Sequence, residues 1–374
     1  MNENNRIAFV IHGFSMGGAE KFLISIVNQF HKLGYDPIVI TLSNDISLIH
    51  ELNPFIQVET ILKKSKFDFL VTNRIKAFIV QNNIKKVFCI NPYAFFLTKL
   101  AFYFDSSTQF YLSLHSTIPP SFKTFVLNFL YYRVVRKRDN IIYICNNQRQ
   151  YLKHKYLLPD TMEAVIYNGV NEWYYSKDAL SNFNFSSLRA AFGFNIDDKI
   201  IVKVARLNPE KGHLYAIEAL SILHQQFNPK PHLVFVGSGA PSYLDMLKKK
   251  VIEKDLIDYV HFMGAYSDVR GFYGISDVFT LTSNATETFS IAALEAMSFG
   301  LPCSLTDIGG ASEMIVEGVT GILSKPNDAN SIALSWKHIL EKQLNGEQIR
   351  NHLQENFTAD GMFQNYLELV GYSA

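Results

Sequence analysis

Short apolar runs bounded by Gly, Pro, Asn and Asp alternate with helical stretches along this chain. Arg6 to Ile11 is the first such run, and a Gly-bearing loop, Gly13 to Glu20, carries it into a helix over Lys21–Lys32 that Gly34 caps. Pro37–Leu42, Lys85–Ile90, Thr108–Leu114, Ile141–Cys145 and Ala164–Ile166 read as further strands of one sheet. A second set begins near Lys199: Ile200–Ala205, His232–Val236, Val260–Gly264, Asp277–Leu281 and Cys303–Thr306. A helix starts near Ser290, with Thr288 or Ser290 as its N-cap, and stops at Gly300 with Pro302 just beyond. The tail, Thr358–Val370, is helical. Strands alternating with helices predict an α/β fold built of two Rossmann-like halves; beyond those halves no internal repeat is visible.

Composition narrows the class. The 374 residues exceed one ordinary domain, and 48% hydrophobic content is ample for two cores. Cys89, Cys145 and Cys303 sit in apolar runs and form no spaced pair, which argues for a reducing compartment and against a disulfide framework or zinc site. Neither a signal-peptide pattern nor a membrane-length apolar run is expected, so a cytoplasmic protein is the expectation.

The net charge of +1 conceals a split. Residues 1–177 carry 20 Lys+Arg against 12 Asp+Glu, or +8, and residues 178–374 carry 15 against 22, or −7. A basic first half suggests an anionic partner there. Within it, Pro119–Arg138 holds five basic residues, five aromatics and no acid. That composition suits an interfacial helix on an anionic membrane, or equally a core helix with a solvated basic end.

Candidate chemistry concentrates between Thr282 and Leu323. Glu287 precedes the helix at Ser290, and Glu295 lies about one and a half turns inside it. A helix N-terminus with its free N–H groups suits a diphosphate, and a carboxylate further along can accept from two ribose hydroxyls. Upstream, Arg206 and Lys211 follow the strand Ile200–Ala205 in a loop able to clamp phosphate oxygens. Gly237-Ser238-Gly239 forms a turn open to a nucleotide. His115 stands at the end of a strand, where parallel sheets bind ligands, although a lone His is also often structural.

The order Glu287-x7-Glu295, Ala-Met-x-x-Gly300-x-Pro302, then Asp307-x-Gly309-Gly310-x-x-Glu313, resembles the donor-binding core of glycosyltransferase family 4, of the bacterial surface-polysaccharide type. Gly17-Gly18-Ala19-Glu20 is similar to its Gly-Gly-x-Glu loop, though a tight turn fits the spacing as well. Arg206 to Gly212 is similar to its Gly-Arg-Leu-x-x-x-Lys-Gly, with Ala205 in place of the first Gly. Val165 to Asn171 resembles the link into the second domain.

The resemblance implies the GT-B fold: two Rossmann-like domains facing across a cleft, residues 1–177 for the acceptor and 178–357 for the donor, with helix 358–374 crossing back. It implies retaining transfer of a hexosyl unit from a nucleotide sugar, UDP-linked by preference, to a glycan or polyprenyl-diphosphate-linked acceptor. Catalytic roles fall to Glu287, Arg206, Lys211 and His115. Donor contacts fall to Gly17, Gly18, Gly237, Gly264, Thr288, Phe289, Ser290 and Glu295. No D-x-D occurs, so no metal is expected at the diphosphate and no cofactor beyond the donor substrate. Expected partners are the donor, the acceptor and an anionic membrane surface at the inner face of the cytoplasmic membrane, with no nucleic acid. A GT-B sugar-nucleotide epimerase, a soluble-glucan synthase and a non-enzymatic nucleotide-binding module share much of this pattern. Thr288 and Ser290 stand where the family usually has small residues, which leaves the donor open.

Overall fold

The computed structural model describes residues 5–14, 18–64, 68, 70–118, 121–176, 179, 183–285 and 287–371. Gly17, Pro119 and Pro120 lie outside them. The chain divides into two compact units, Met1–Tyr167 with Phe363–Ala374, and Asn168–Met362.

The first unit holds seven strands: β1 (Arg6–Ile11), β2 (Asp36–Thr41), β3 (Gln57–Thr60), β4 (Lys86–Cys89), β5 (Gln109–Leu114), β6 (Asn140–Tyr143) and β7 (Met162–Val165). They lie in the order β3-β2-β1-β4-β5-β6-β7, every pair parallel. Parallel sheets are covered on both faces, which is why β1 and β2 read as nearly continuous apolar runs. Phe88 stacks on Phe9 at 5.1 Å and on Tyr111 at 4.3 Å in the core. Lys99 and Asp139, both fully buried, pair at 2.5 Å and fasten helix Pro92–Ala101 to the turn before β6.

The second unit holds β8 (Ile200–Val204), β9 (His232–Val236), β10 (Val260–Gly264), β11 (Val278–Leu281), β12 (Cys303–Thr306) and β13 (Gly321–Ser324). Their order, β10-β9-β8-β11-β12-β13, is all parallel. The order reverses beside β8, so loops after β8 and β11 are neighbours; this is the switch point where open α/β sheets receive ligands. The fully buried Trp336 donates to Thr280 Oγ1 at 3.0 Å, fixing helix Ala329–Lys342 against β11.

The units divide ten residues earlier than the 177/178 boundary expected from sequence. Val170 accepts from Ala359 N–H at 2.8 Å and donates to Phe357 O at 3.0 Å, which ties the link to the second unit. From Phe363 the last helix, Ala359–Leu369, packs in the first: Phe363 lies edge-on to Phe30 at 5.1 Å, and Tyr366 tilts against Phe22 at 5.5 Å.

The basic aromatic run needs correction. Helix Phe122–Tyr131 turns Phe125, Phe129 and Tyr131 toward the core, and Tyr132 is buried against Tyr156. Only Phe122 of the five aromatics is exposed. The outward apolar stripe is instead Phe122, Val126, Leu127 and Leu130, at helical spacing. Arg133 caps backbone carbonyls of Phe129 and Tyr156, and Arg136 covers the Tyr103 ring at 3.6 Å.

Candidate active site

In the second unit, β8 ends in the loop that carries Arg206 and Lys211. Arg206 is exposed and makes no hydrogen bond or ion pair with the described residues. Lys211 Nζ pairs with Glu287 Oε2 at 2.9 Å, and Ser283 Oγ donates to the same oxygen at 3.1 Å. Both side chains of the pair are about one-fifth exposed, so the pair is accessible rather than sealed in the core.

Backbone geometry explains why glycine stands beside this pair. Gly212 adopts φ +66°, and a Cβ there would fall 1.8 Å from Thr282 O. Gly309 adopts φ +59°, where a Cβ would lie 2.2 Å from Glu287 O. The loops that present Lys211 and Glu287 therefore press against their neighbours with no room for a side chain.

Beneath the loop lies Lys203, fully buried in β8. Its Nζ donates to Lys211 O at 2.6 Å and to Thr282 Oγ1 at 2.8 Å. Thr282 Oγ1 in turn donates to Gly212 O at 2.8 Å. Burial, reinforced by repulsion from Lys211 and opposed by Glu287, holds the Lys203 amine well below the ordinary lysine range.

Ser290 is the N-cap of helix Ile291–Ser298, its Oγ accepting from Ala293 N–H. Thr288 is buried, and its carbonyl accepts from Gly310 N–H at 2.6 Å. The Phe289 ring is buried edge-on against Phe357 at 5.4 Å. Only its backbone belongs to the loop, its carbonyl accepting from Asn168 Nδ2 at 3.0 Å. Glu295 Oε2 accepts from Tyr273 OH at 2.7 Å. Gly237 and Gly264, both at positive φ, join through Gly237 N–H and Gly264 O at the ends of β9 and β10.

In the first unit, β1, β4 and β5 end around a cavity of about 180 Å³, lined among others by Glu20, Asn91, His115 and Thr117. His115 Nε2 lies 2.9 Å from Ser113 Oγ, which lies 3.2 Å from Tyr366 OH. Phe22 covers the imidazole at 4.3 Å. Burial pushes the imidazole down to about 4, so His115 is neutral near pH 7. Gly18 opens helix Gly18–Lys32, and a Cβ there would meet nothing within 4 Å. The fold itself does not demand glycine at that position. Among the described residues no group of three or more His, Cys, Asp or Glu could hold a metal ion.

Residues 16–173 match the family described as Glycosyltransferase Family 4, and residues 184–359 that described as Glycosyl transferases group 1. The chain belongs to glycosyltransferase family 4. An uncharacterized glycosyltransferase of Methanocaldococcus jannaschii is 32% identical over 53% of this chain and 50% of its own length. The chain thus spans about half the length of that first curated relative. The Escherichia coli UDP-Gal:alpha-D-GlcNAc-diphosphoundecaprenol alpha-1,3-galactosyltransferase is 26% identical over 88% of this chain and 83% of its own. Anabaena Alr3699/HepE, solved in complex with UDP, shares the GT-B fold: TM-score 0.84, 21% identity, 98% of this chain and 99% of that one.

For this family 4 chain, sequence reasoning missed four site-supporting residues: Ser113, Lys203, Tyr273 and Tyr366. Lys203 alone carried a signal, as the single charge in the run Ile200–Val204.

Proposed function

We propose that this chain transfers a hexosyl unit from a UDP-sugar to a lipid-linked or glycan acceptor, with retention at the anomeric carbon. The observation that carries this reading is the Lys211–Glu287 pair beside the Ser290 helix N-terminus, at the sheet's switch point. Lys211, Arg206 and the helix end take the diphosphate, and Glu287 takes sugar hydroxyls near the reacting carbon. Attack comes from the face the leaving group departs. The bond from C1 to the diphosphate oxygen breaks, the bond from C1 to the acceptor oxygen forms, and the acceptor proton passes to the departing diphosphate. The diphosphate charge is met by these side chains without a metal, and the neutral His115 contacts the sugar as a hydrogen-bonding group. Gly18, together with Gly17, lets the backbone approach the ligand. The UDP of HepE and the diphosphoundecaprenol acceptor named for the E. coli relative support the choice of donor and acceptor classes.

The test is incubation with UDP-sugars and a polyprenyl-diphosphate-linked N-acetylhexosamine, with product configuration read by NMR. An α-linked product from an α-linked donor is expected. Donor hydrolysis without transfer, or an inverted linkage, contradicts the reading.

The acceptor reading includes docking on an anionic membrane through the exposed stripe Phe122, Val126, Leu127 and Leu130, within the half that carries +8. No helix among the described residues is long and apolar enough to cross a membrane.

A further inference from the structure

Asn168 opens the second unit and is only 6% exposed. Its Nδ2 donates to Phe289 O at 3.0 Å, across 121 positions of chain. Its Oδ1 is buried and has no hydrogen-bond partner among the described residues. A buried acceptor left unpaired costs stability, and an apolar side chain of similar size would avoid that cost. What the amide supplies at this position is therefore its N–H donor.

The backbone that carries Asn168 is held. At Gly169 a Cβ would lie 2.1 Å from Thr358 O. Val170 N–H donates to Phe357 O at 3.0 Å, and Ala359 N–H donates to Val170 O at 2.8 Å. The same segment grips the other end of Phe289, whose buried ring meets Phe357 edge-on at 5.4 Å. Phe289 is thus fixed twice, its ring by Phe357 and its carbonyl by Asn168, from two segments bonded to each other.

Phe289 stands two residues after Glu287 and one before Ser290, the N-cap of helix Ile291–Ser298. A trans peptide is planar, so its C=O and N–H point in opposite directions. Holding Phe289 O toward Asn168 therefore aims Ser290 N–H away from Asn168. Among the described residues that N–H meets no acceptor. We infer that Asn168 is a positioning residue: its amide sets the plane of the Phe289–Ser290 peptide, and so the direction of the N–H that this loop offers to the donor's diphosphate. The inference rests on the proposed reading of the loop and adds a residue from the link that enters the second unit. Asn168 acts through the loop and touches no reacting atom.

The experiment measures UDP affinity by calorimetry and turnover of UDP-sugar in the full chain, Asn168→Ala and Asn168→Asp, with thermal midpoints recorded in parallel. Asn168→Ala removes the donor and the unpaired acceptor together. It should weaken UDP binding by roughly tenfold, the scale of one hydrogen bond. In Asn168→Asp the ionised carboxylate cannot donate and sets two acceptors face to face. Its protonated form can donate to Phe289 O, and burial raises the pH at which it takes up that proton. The UDP affinity of Asn168→Asp relative to wild type should therefore rise as pH falls from about 8 to about 5. The same ratio for Asn168→Ala should stay flat, since groups shared with wild type cancel. A merely structural role would lower the midpoints and leave UDP affinity intact; that result overturns the inference, as does an Asn168→Asp ratio that does not change with pH. Should Asn168→Asp fail to fold, Asn168→Ala must still weaken UDP, and an unchanged affinity there overturns it equally. A wild type that binds UDP and transfers nothing overturns the transfer reading alone, and the affinities still decide the role of Asn168. A wild type that ignores UDP overturns the reading of the loop, and the inference with it.

Discussion

Lys203→Met isolates what a buried amine does beneath the loop proposed to hold the diphosphate. Methionine keeps an unbranched apolar stem, one atom shorter than lysine, and removes the two bonds, to Lys211 O at 2.6 Å and Thr282 Oγ1 at 2.8 Å. A net hydrogen bond contributes about 1 kcal/mol, and a buried acceptor left without its donor costs about 1–3 kcal/mol. Lys211 O retains a long bond from Thr282 Oγ1 at 3.4 Å, which softens that loss. The variant is therefore expected to be less stable by about 2 kcal/mol where Lys203 is neutral in both folded and unfolded chains, above its ordinary value of 10.5.

The sign then follows from proton linkage. The folded amine titrates below the unfolded one, so between the two values the unfolded chain binds the extra proton. Stability conferred on wild type is complete above 10.5 and falls as pH drops toward the folded value. The slope over that window reaches about 1.4 kcal/mol per pH unit. The surrounding groups do not cancel it: Lys211 repels the charged form, Glu287 attracts it, and His213 is pushed down to about 2 and stays neutral. Urea midpoints of both proteins from pH 7 to 10 should show the variant losing most at high pH and recovering relative to wild type at low pH. Transfer should also slow, by roughly 10²-fold if the Lys211 loop shifts by an ångström. A stability gap constant with pH, or an unchanged turnover, refutes the reasoning.

Four further outcomes are expected. Glu287→Ala should nearly abolish transfer while the chain folds and binds UDP; activity within a few-fold of wild type contradicts its role at the sugar. Lys211→Ala should cut turnover by roughly 10²–10³-fold, as loss of other charge-stabilising donors does, and an effect on acceptor affinity alone contradicts it. EDTA should leave activity intact, and activity lost to EDTA but restored by Mg²⁺ or Mn²⁺ would show the diphosphate site misread. Co-sedimentation with anionic vesicles should weaken in Phe122→Asp/Leu130→Asp and with rising salt, each basic residue near the surface contributing about 1 kcal/mol at most; no pelleting of either protein, or equal pelleting of both on neutral and anionic vesicles, removes the membrane from the reading.

Strands buried on both faces are legible because the burial itself writes an apolar run: β1, β8 and β11 are nearly free of polar residues. β3, Gln57–Thr60, and β13, Gly321–Ser324, lie at sheet edges and are only four residues long. β3 reads Gln-Val-Glu-Thr, with one apolar residue and both ends exposed, so no run marks it. The helix Phe122–Tyr131 shows the opposite failure, where composition alone is read correctly and orientation is not. Aromatics and cations crowd one segment, yet spacing over ten residues lets several stripes compete to face the core. Packing of Tyr131 on Phe96 at 5.0 Å and of Phe125 on Tyr156 at 5.3 Å decides it.

The candidate site divides along the same line, between what one loop carries and what two loops make together. Arg206, Lys211, Glu287 and Ser290 follow strand ends in short motifs, so each is visible singly. Lys203 meets Thr282 across 79 positions, and Ser113 meets Tyr366 across 253, and no local pattern encodes such meetings. The sequence presents Lys211 as a phosphate ligand and Glu287 as a sugar ligand, as if independent. At 2.9 Å they are one another's counterions. On the proposed reading, a diphosphate at this loop would compete with Glu287 for the Lys211 ammonium, and the carboxylate it displaces would become available to the sugar hydroxyls that arrive with it. Donor recognition at the two ends of the ligand is then a single exchange of partners, which a lone motif of either residue cannot express.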